Sequence, residues 1–287
     1  VFILDKTNNI NKILFAKKYA QVNNKKVSNN TLKKSIDYHS VDTVVYLASK
    51  LKFKNIKLAK FEIKNLKEVI FFVKKKNIKN FIYFSSSSVY GNCNNKISEN
   101  TQRNPVSNYG KLKLKSENLI TKEFKKTKLK YIILRPFNFI GVYSKLKGKP
   151  IIFKNNIFFN LLNSINLEKL FYLNGKNLNT IDGSCERDYL DIDNFSKIFF
   201  KLLNNIFKLK SGAYNIGTGK TISNLHIINS FRKYYKRKIK IKYTKKKYDN
   251  PIRLIPKINK ILKFIALNDL KFQYMKAIKS YDIYLKK

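Results

Sequence analysis

Apolar residues along this chain alternate between two periods. Short β-branched or aromatic runs read as strands at Val1–Asp5, Asp42–Ala48, Asn80–Ser85 and Tyr131–Arg135. Between them, helical spacing covers Thr31–Asp37, Leu66–Lys75 and about Ser107–Phe124. A β-α-β-α order predicts a parallel sheet with helices on both faces. Ligands of such sheets bind beyond the carboxyl ends of the strands. The second half is less regular. A turn-rich stretch, Tyr143–Lys149, precedes an apolar helix near Asn156–Ile165. Strands follow near Phe171–Leu173 and Arg187–Ile192, then a helix at Phe195–Leu203 and the run Gly212-Ala-Tyr-Asn-Ile-Gly-Thr-Gly219. The tail from Lys257 onward reads as helical and basic. The sequence has no internal repeat and no Gly/Ser/Pro-rich linker between autonomous domains.

Charge changes the picture less than its size suggests. The chain carries 61 Lys+Arg against 17 Asp+Glu, a formal net charge of +44. Such a balance points first to nucleic acid or an anionic membrane surface. Here the lysines are spread over the whole length among Asn, Ile, Phe and Tyr, with no basic tail or arginine-rich block. That pattern reads as drift under an A+T-rich coding bias, so no specific nucleic-acid partner and no membrane partner are expected. Hydrophobic residues make up 44%, enough for a large core. Cys93 and Cys185 lie far apart, and His39 and His226 share no ligand spacing. Neither a disulfide scaffold nor a metal site is expected. No apolar run approaches the ~20 residues of a membrane helix, and no signal peptide opens the chain. A reducing cytoplasmic location is the expectation.

Tyr109 and Lys113 stand four apart in a predicted helix, hence on one face. An ammonium beside a phenol stabilises phenolate and lowers the tyrosine pKa from its reference near ~10. Such a tyrosine can exchange a proton with a sugar hydroxyl near neutral pH. The spacing alone carries nothing, because it recurs at Tyr46/Lys50, Tyr143/Lys147, Tyr172/Lys176, Tyr234/Lys238 and Tyr243/Lys247. Context separates Tyr109 from these. A strand ending in Ser85-Ser86-Ser87-Ser88-Val89-Tyr90-Gly91 precedes it, and a strand ending in Arg135-Pro136-Phe137-Asn138 follows. Farther on, Thr180–Asp193 is a polar, Gly-containing loop that delivers Arg187 to an alternating, strand-like run. An arginine there can meet a phosphate at a cleft edge, or can simply pair with a nearby acid.

Together these pieces resemble the extended short-chain dehydrogenase/reductase superfamily. Within its NAD-dependent epimerase/dehydratase family they look most like the UDP-glucose 4-epimerases. The matching runs are Phe84–Gly91, Asn108–Lys113, Arg135–Asn138, Thr180–Asp193 and Tyr214–Gly219. The resemblance implies an α/β fold: a Rossmann-like, doubly wound parallel sheet over residues 1–150, with 186–213 returning to it. Residues 151–185 and 214–287 would form a smaller C-terminal substrate-binding α/β region. It implies NAD as cofactor, a UDP-sugar as substrate, and interconversion of UDP-glucose and UDP-galactose by transient oxidation at C4. Tyr109 would be the acid/base and Lys113 would bind the nicotinamide ribose and tune it. Ser86 would hydrogen-bond the reacting oxygen, with Ser87 and Ser88 as its substrate-side neighbours. Asp5 would take the adenosine ribose, and Ser85 and Phe137 would complete the cofactor surface. Asn138, Asn156 and Arg187 would hold UDP, a fork-shaped guanidinium suiting the diphosphate. Lys246 falls where the family usually has a second arginine.

Departures from the family pattern are specific. The family opens with a strand and a Gly-x-x-Gly-x-x-Gly turn that cradles the pyrophosphate. This chain starts at what would be the second strand, and with 9 glycines in total no other stretch replaces that turn. A truncated record or a decayed, non-catalytic remnant are the two expectations. Lys26 falls where an aspartate meets the adenine, and Glu62–Leu66 replaces an Asn-x-x-Gly-Thr region. Arg135-Pro136-Phe137 also occurs in relatives such as UDP-glucuronate decarboxylases. Decarboxylases and dehydratases need an added acid just before the Val-Tyr-Gly, where this chain has Ser87-Ser88. The resemblance also implies a homodimer built from two helices per subunit, here Leu66–Lys75 and Ser107–Phe124. Val69-Ile70-Phe71-Phe72-Val73 is apolar all round and so predicts burial on more than one side.

Overall fold

A computed structural model describes residues 2–4, 21–23, 41–47, 56–93, 95–143, 151–152, 156–245, 251–266 and 273–282. Asp5, Lys26, Lys246 and the expected helix Thr31–Asp37 lie outside the described residues.

The central sheet has strands β3 (Thr43–Tyr46), β4 (Asn80–Phe84), β5 (Lys130–Pro136) and β12 (Gly212–Ile216), in the order β12-β5-β4-β3. All its pairings are parallel. Helix α1 (Ile56–Lys75) connects β3 to β4, and α2 (Asn108–Phe124) connects β4 to β5. Alternation along the strands explains the layering. Phe81, Tyr83, Tyr131 and Ile133 face one way, onto Leu66, Val69, Val73, Ile120 and Phe124 of α1 and α2. Ile82, Ile132 and Leu134 face the other way, onto Phe195, Ile198 and Leu202 of α4 (Ile192–Asn204). A strand buried on both faces is apolar along most of its length, as β4 and β5 are at Phe81–Phe84 and Tyr131–Leu134. The doubly wound α/β sheet expected from the sequence is therefore present.

Local chemistry sets the helix starts. The Ser107 hydroxyl accepts from the Gly110 amide, and the Asp191 carboxylate accepts from the Asp193 and Asn194 amides. A second apolar cluster joins α3 (Ile157–Asn166), α5 (Asn224–Tyr235) and α6 (Tyr274–Ser280) through Phe158, Leu161, Leu162, Ile227, Phe231 and Ile278. Strands β9 (Phe171–Asn174) and β14 (Ile241–Thr244) pair beside it. This is the smaller C-terminal α/β layer. No helix among the described residues is long and apolar enough to cross a membrane. Neither Cys93 nor Cys185 is in a disulfide.

Three expectations are corrected. The single strand Arg187–Ile192 is two strands, β10 (Glu186–Arg187) and β11 (Tyr189–Asp191), and Ile192 already begins α4. The chain breaks at Asp188 because each half follows a different neighbour. β10 pairs with β13 (Ile222–Ser223) and β15 (Arg253–Leu254), whereas β11 pairs with β6 (Asn138–Ile140). The tail is not continuously helical. Ile258, Ile261 and Ile265 pack on the sheet face in a stretch with one 3-10 turn, Ile261–Lys263, and Tyr274–Ser280 is helical. Finally, Val69–Val73 is not apolar all round in its packing. Val69, Ile70, Phe72 and Val73 are buried, while Phe71 is 60% exposed.

That split generates a stability test. Phe72→Ala should cost about 3–5 kcal/mol, as for other buried phenylalanines. Phe71→Ala, outside this core, should cost clearly less than Phe72→Ala. Urea unfolding of both variants checks the pair, and equal losses would contradict the packing described.

Candidate active site

Sequence-distant groups meet where β4 ends. Three successive residues there meet one face of α2. The Lys113 ammonium donates to the Phe84 carbonyl at 2.6 Å. The Ser85 hydroxyl donates to Glu117 Oε1 at 2.5 Å. The Ser86 side chain lies close enough to the Tyr109 phenol to oppose the rise of its pKa. Ser86 Oγ donates to Ser88 Oγ at 3.0 Å and accepts from the Ser88 amide, so it caps the tight turn Ser87–Val89. Gly110 lets the helix come this close, because a Cβ there would meet the Ser88 carbonyl oxygen at 2.4 Å. The Lys113 ammonium lies 4.8 Å from the Tyr83 ring centre and 5.6 Å from that of Tyr109.

Burial dominates the electrostatics. It pushes Lys113 down to about 8, against the charges of Glu62 and Glu117. It pushes Tyr109 up to about 12, with the Ser86 side chain opposing the rise and the charge of Glu62 adding to it. The expectation that Lys113 lowers the Tyr109 pKa is thus corrected for the protein alone. The ammonium is aimed at the Phe84 carbonyl rather than at the phenol oxygen, and desolvation disfavours phenolate more than distant charge favours it. In this state Tyr109 is a proton donor.

Behind the site lies a buried charge network that the sequence reading missed. Glu117 is fully buried and accepts from Arg135 Nε at 2.9 Å, Arg135 Nη2 at 2.6 Å and Arg103 Nη1 at 3.0 Å. Arg135 continues to the Tyr90 hydroxyl at 2.8 Å, and Tyr90 to Asn215 Oδ1 at 2.6 Å. The only sequence signal for Glu117 is its place one turn after Lys113 on the same helix face. Ser85, expected at the cofactor, gives its hydroxyl to this network instead. Phe137, also expected there, sits in an apolar cluster with Val89, Tyr90, Ile97 and Leu254.

The expected phosphate side assembles beyond the end of β5. Asn138 pairs across the ladder with Tyr189, and its side chain donates to the Asp188 carbonyl at 2.9 Å. Asn156 caps α3 through the Phe159 amide at 2.9 Å and reaches the Phe139 carbonyl at 3.5 Å. Arg187 is buried, and its guanidinium donates to the carbonyls of Glu186, Ile252 and Pro251 at 2.8, 3.1 and 2.5 Å. Asp188, also missed, is raised to about 7 by burial, which hydrogen bonds from Thr218 and Gly219 oppose. Those amides donate to it at 2.9 and 2.6 Å. A side chain at Gly217 would strike Pro256 Cγ at 2.6 Å, so the Gly217-Thr218-Gly219 turn fits against Asp188 without one.

A phenol, a serine hydroxyl and a desolvated ammonium converge at the carboxyl end of β4. That donor set suits a ribose and a nicotinamide edge. The low Lys113 pKa has a consequence for stability. Its folded pKa lies below the ordinary ~10.4, so between about 8 and 10.4 the unfolded chain binds more protons. This group therefore adds stability as pH rises through that window. Relative to Lys113→Met, the wild-type urea midpoint should rise from pH 8 to pH 10. A difference that stays flat would contradict the burial of this ammonium.

The sequence profile of the NAD dependent epimerase/dehydratase family matches residues 5–217. A UDP-glucose 4-epimerase from Lactobacillus helveticus is 31% identical over 161 residues, covering 55% of this chain and 49% of the relative. One from Mycoplasma genitalium is 30% identical over 197 residues, covering 65% and 56%. The chain thus spans about half the length of the curated relatives it matches. The solved UDP-glucose-4-epimerase from Stenotrophomonas maltophila, with bound NAD and formylated UDP-arabinopyranose, superposes with a TM-score of 0.85. It is 17% identical, and the match covers 100% of this chain and 91% of that one. With the profile spanning most of its length and the Tyr109–Lys113–Ser86 group at the sheet edge, this chain belongs to the NAD dependent epimerase/dehydratase family.

Proposed function

We propose that the protein is an NAD-dependent UDP-hexose 4-epimerase that interconverts UDP-glucose and UDP-galactose. The observation that carries this reading is the buried Lys113, bonded to the Phe84 carbonyl at 2.6 Å and 5.6 Å from the Tyr109 ring, beside the serine turn at the end of β4. A bound nicotinamide would supply the acceptor and donor of hydride at sugar C4, and its positive charge would favour phenolate. Tyr109 would take the proton of the 4-hydroxyl as the C4–H electron pair departs, and would return it after the 4-keto sugar has turned over. Ser86 would hold the same sugar oxygen. Lys113, with one N–H on Phe84, would offer the others to the ribose hydroxyls. Asn138, Asn156 and Arg187 would bind the UDP moiety, with residues 151–185 and 214–287 as the substrate region. No carboxylate stands in Phe84–Gly91, which disfavours dehydratase and decarboxylase chemistry.

The full protein, supplied with NAD and UDP-galactose, should form UDP-glucose. Tyr109→Phe should lower kcat by roughly 100-fold or more. Absence of product from the wild type, or carbon dioxide release from UDP-glucuronate instead, would overturn the assignment.

The homodimer is proposed through α1 and α2. Phe61 and Phe71 are 40% and 60% exposed on α1, and an outward apolar pair suits a second copy. Phe72 belongs to the core, so Phe71→Glu alone is the clean probe. It should yield monomers in sedimentation while the fold persists. A wild type that already sediments as a monomer would remove the proposal.

A further inference from the structure

Glu117 is one of four fully or nearly fully buried carboxylates among the described residues, and the epimerase chemistry has no task for it. It touches neither Tyr109 nor the expected sugar position. All of its hydrogen bonds run to Ser85, Arg135 and Arg103. For stability alone, well-packed apolar residues would serve as well as a buried ion pair. Direction is what an ion pair adds. We propose that Glu117 is a positioning residue: clamped by Arg135, it holds Ser85 and thereby sets where Ser86 and the Phe84 carbonyl meet Tyr109 and Lys113. The proposal rests on Tyr109 being the acid/base of the reaction proposed above.

Geometry carries the argument. The strand exit meets the helix out of order: Phe84 is bonded to Lys113 and Ser85 to Glu117, while Ser86 lies close enough to Tyr109 to oppose the rise of its pKa. Lys113 lies between the other two on the helix. A slide of α2 by one residue, about 1.5 Å, in either direction lengthens one of the end contacts. Apolar packing of Ile120 and Phe124 on the sheet resists separation but only weakly resists such a slide. Arg135 fixes Glu117 bidentately from β5, so strand, helix and serine turn share one register. An open depression of about 640 Å³, lined by Glu117, Arg135, Arg103 and Asn118 among others, lies beside this pair, so a cavity made by truncating Glu117 would be within reach of small anions.

Glu117→Ala in the full protein, assayed with NAD and UDP-galactose, should lower kcat by roughly 100-fold with KM for the sugar nucleotide nearly unchanged. Added formate should enter the cavity and recover part of kcat. A readout without cofactor or substrate is the Lys113 titration, followed by NMR of 13C-methylated lysines. The groups facing Lys113 are Tyr83, Tyr109, Glu62, Glu117 and the Phe84 carbonyl. Loss of the Glu117 charge alone would move the Lys113 pKa down from about 8. Loss of positioning frees the ammonium and moves it up toward ~10.4. A folded Glu117→Ala with kcat retained, or with Lys113 moving down, would overturn the proposal. If that variant lacks a cooperative melt, Ser85→Ala, which keeps the ion pair, should give the same kcat loss and the same upward shift. Ser85→Ala with both unchanged would also overturn it. A wild type inactive on UDP-galactose would instead remove the functional reading and leave the Lys113 titration to decide this one.

Discussion

The site depends on one buried contact, the pairing of Glu117 with Arg135. Moving a carboxylate into a protein interior costs several kcal/mol, and removing one partner of a buried pair costs about 3–5 kcal/mol. Here two guanidiniums and a serine hydroxyl surround the carboxylate, so its lone pairs are well used. The return is positional. Strand β5 carries Arg135, helix α2 carries Glu117, and the exit of β4 carries Ser85. One ion pair therefore brings three elements into a single register. Tyr90 and Asn215 extend the same network to β12. Gly110 makes that register achievable, since any side chain there would push the helix off the serine turn.

Excess positive charge and scarce acids divide the molecule in an instructive way. Acidic residues number 17 against 61 basic ones, yet Glu117, Glu186, Asp188 and Asp191 are all buried. Each has a definite partner. Glu186 accepts from Arg253 Nε at 2.6 Å, Asp188 from the Thr218 and Gly219 amides, and Asp191 from the first turn of α4. The lysines largely coat the outside, where water and salt screen them and they bear on solubility more than on fold. Lys113 is the exception, a buried ammonium whose low pKa follows from its position rather than from its surroundings in sequence.

Much of the sheet was legible because strand and helix periods differ and both faces must be apolar. The apolar runs inside Thr43–Tyr46, Asn80–Phe84 and Lys130–Pro136 follow from that rule. Ser107 and Asn156 mark helix starts that their capping side chains explain. Longer-range facts were not legible. Nothing in Arg187–Ile192 says that Asp188 will be claimed by amides some thirty residues later and split the strand. Five successive apolar residues do not reveal which one faces out, and only the packed sheet singles out Phe71. The lysine–tyrosine spacing correctly places two side chains on one face. The sign of the tyrosine pKa shift, however, depends on burial, which a helical repeat does not contain.

Arg187, proposed above to meet phosphate, is held from several sides. Its guanidinium donates to carbonyl oxygens of Glu186, Pro251 and Ile252, the last two on the backbone of residues 251–252. A phosphate oxygen makes a charge-assisted bond about twice as strong as a neutral one, and can be met by two parallel N–H groups. The 251–252 backbone runs into Arg253–Leu254, which pairs in register with Glu186–Arg187 itself. The β10–β15 ladder thus holds the arginine and its resident acceptors on one rigid pair of strands.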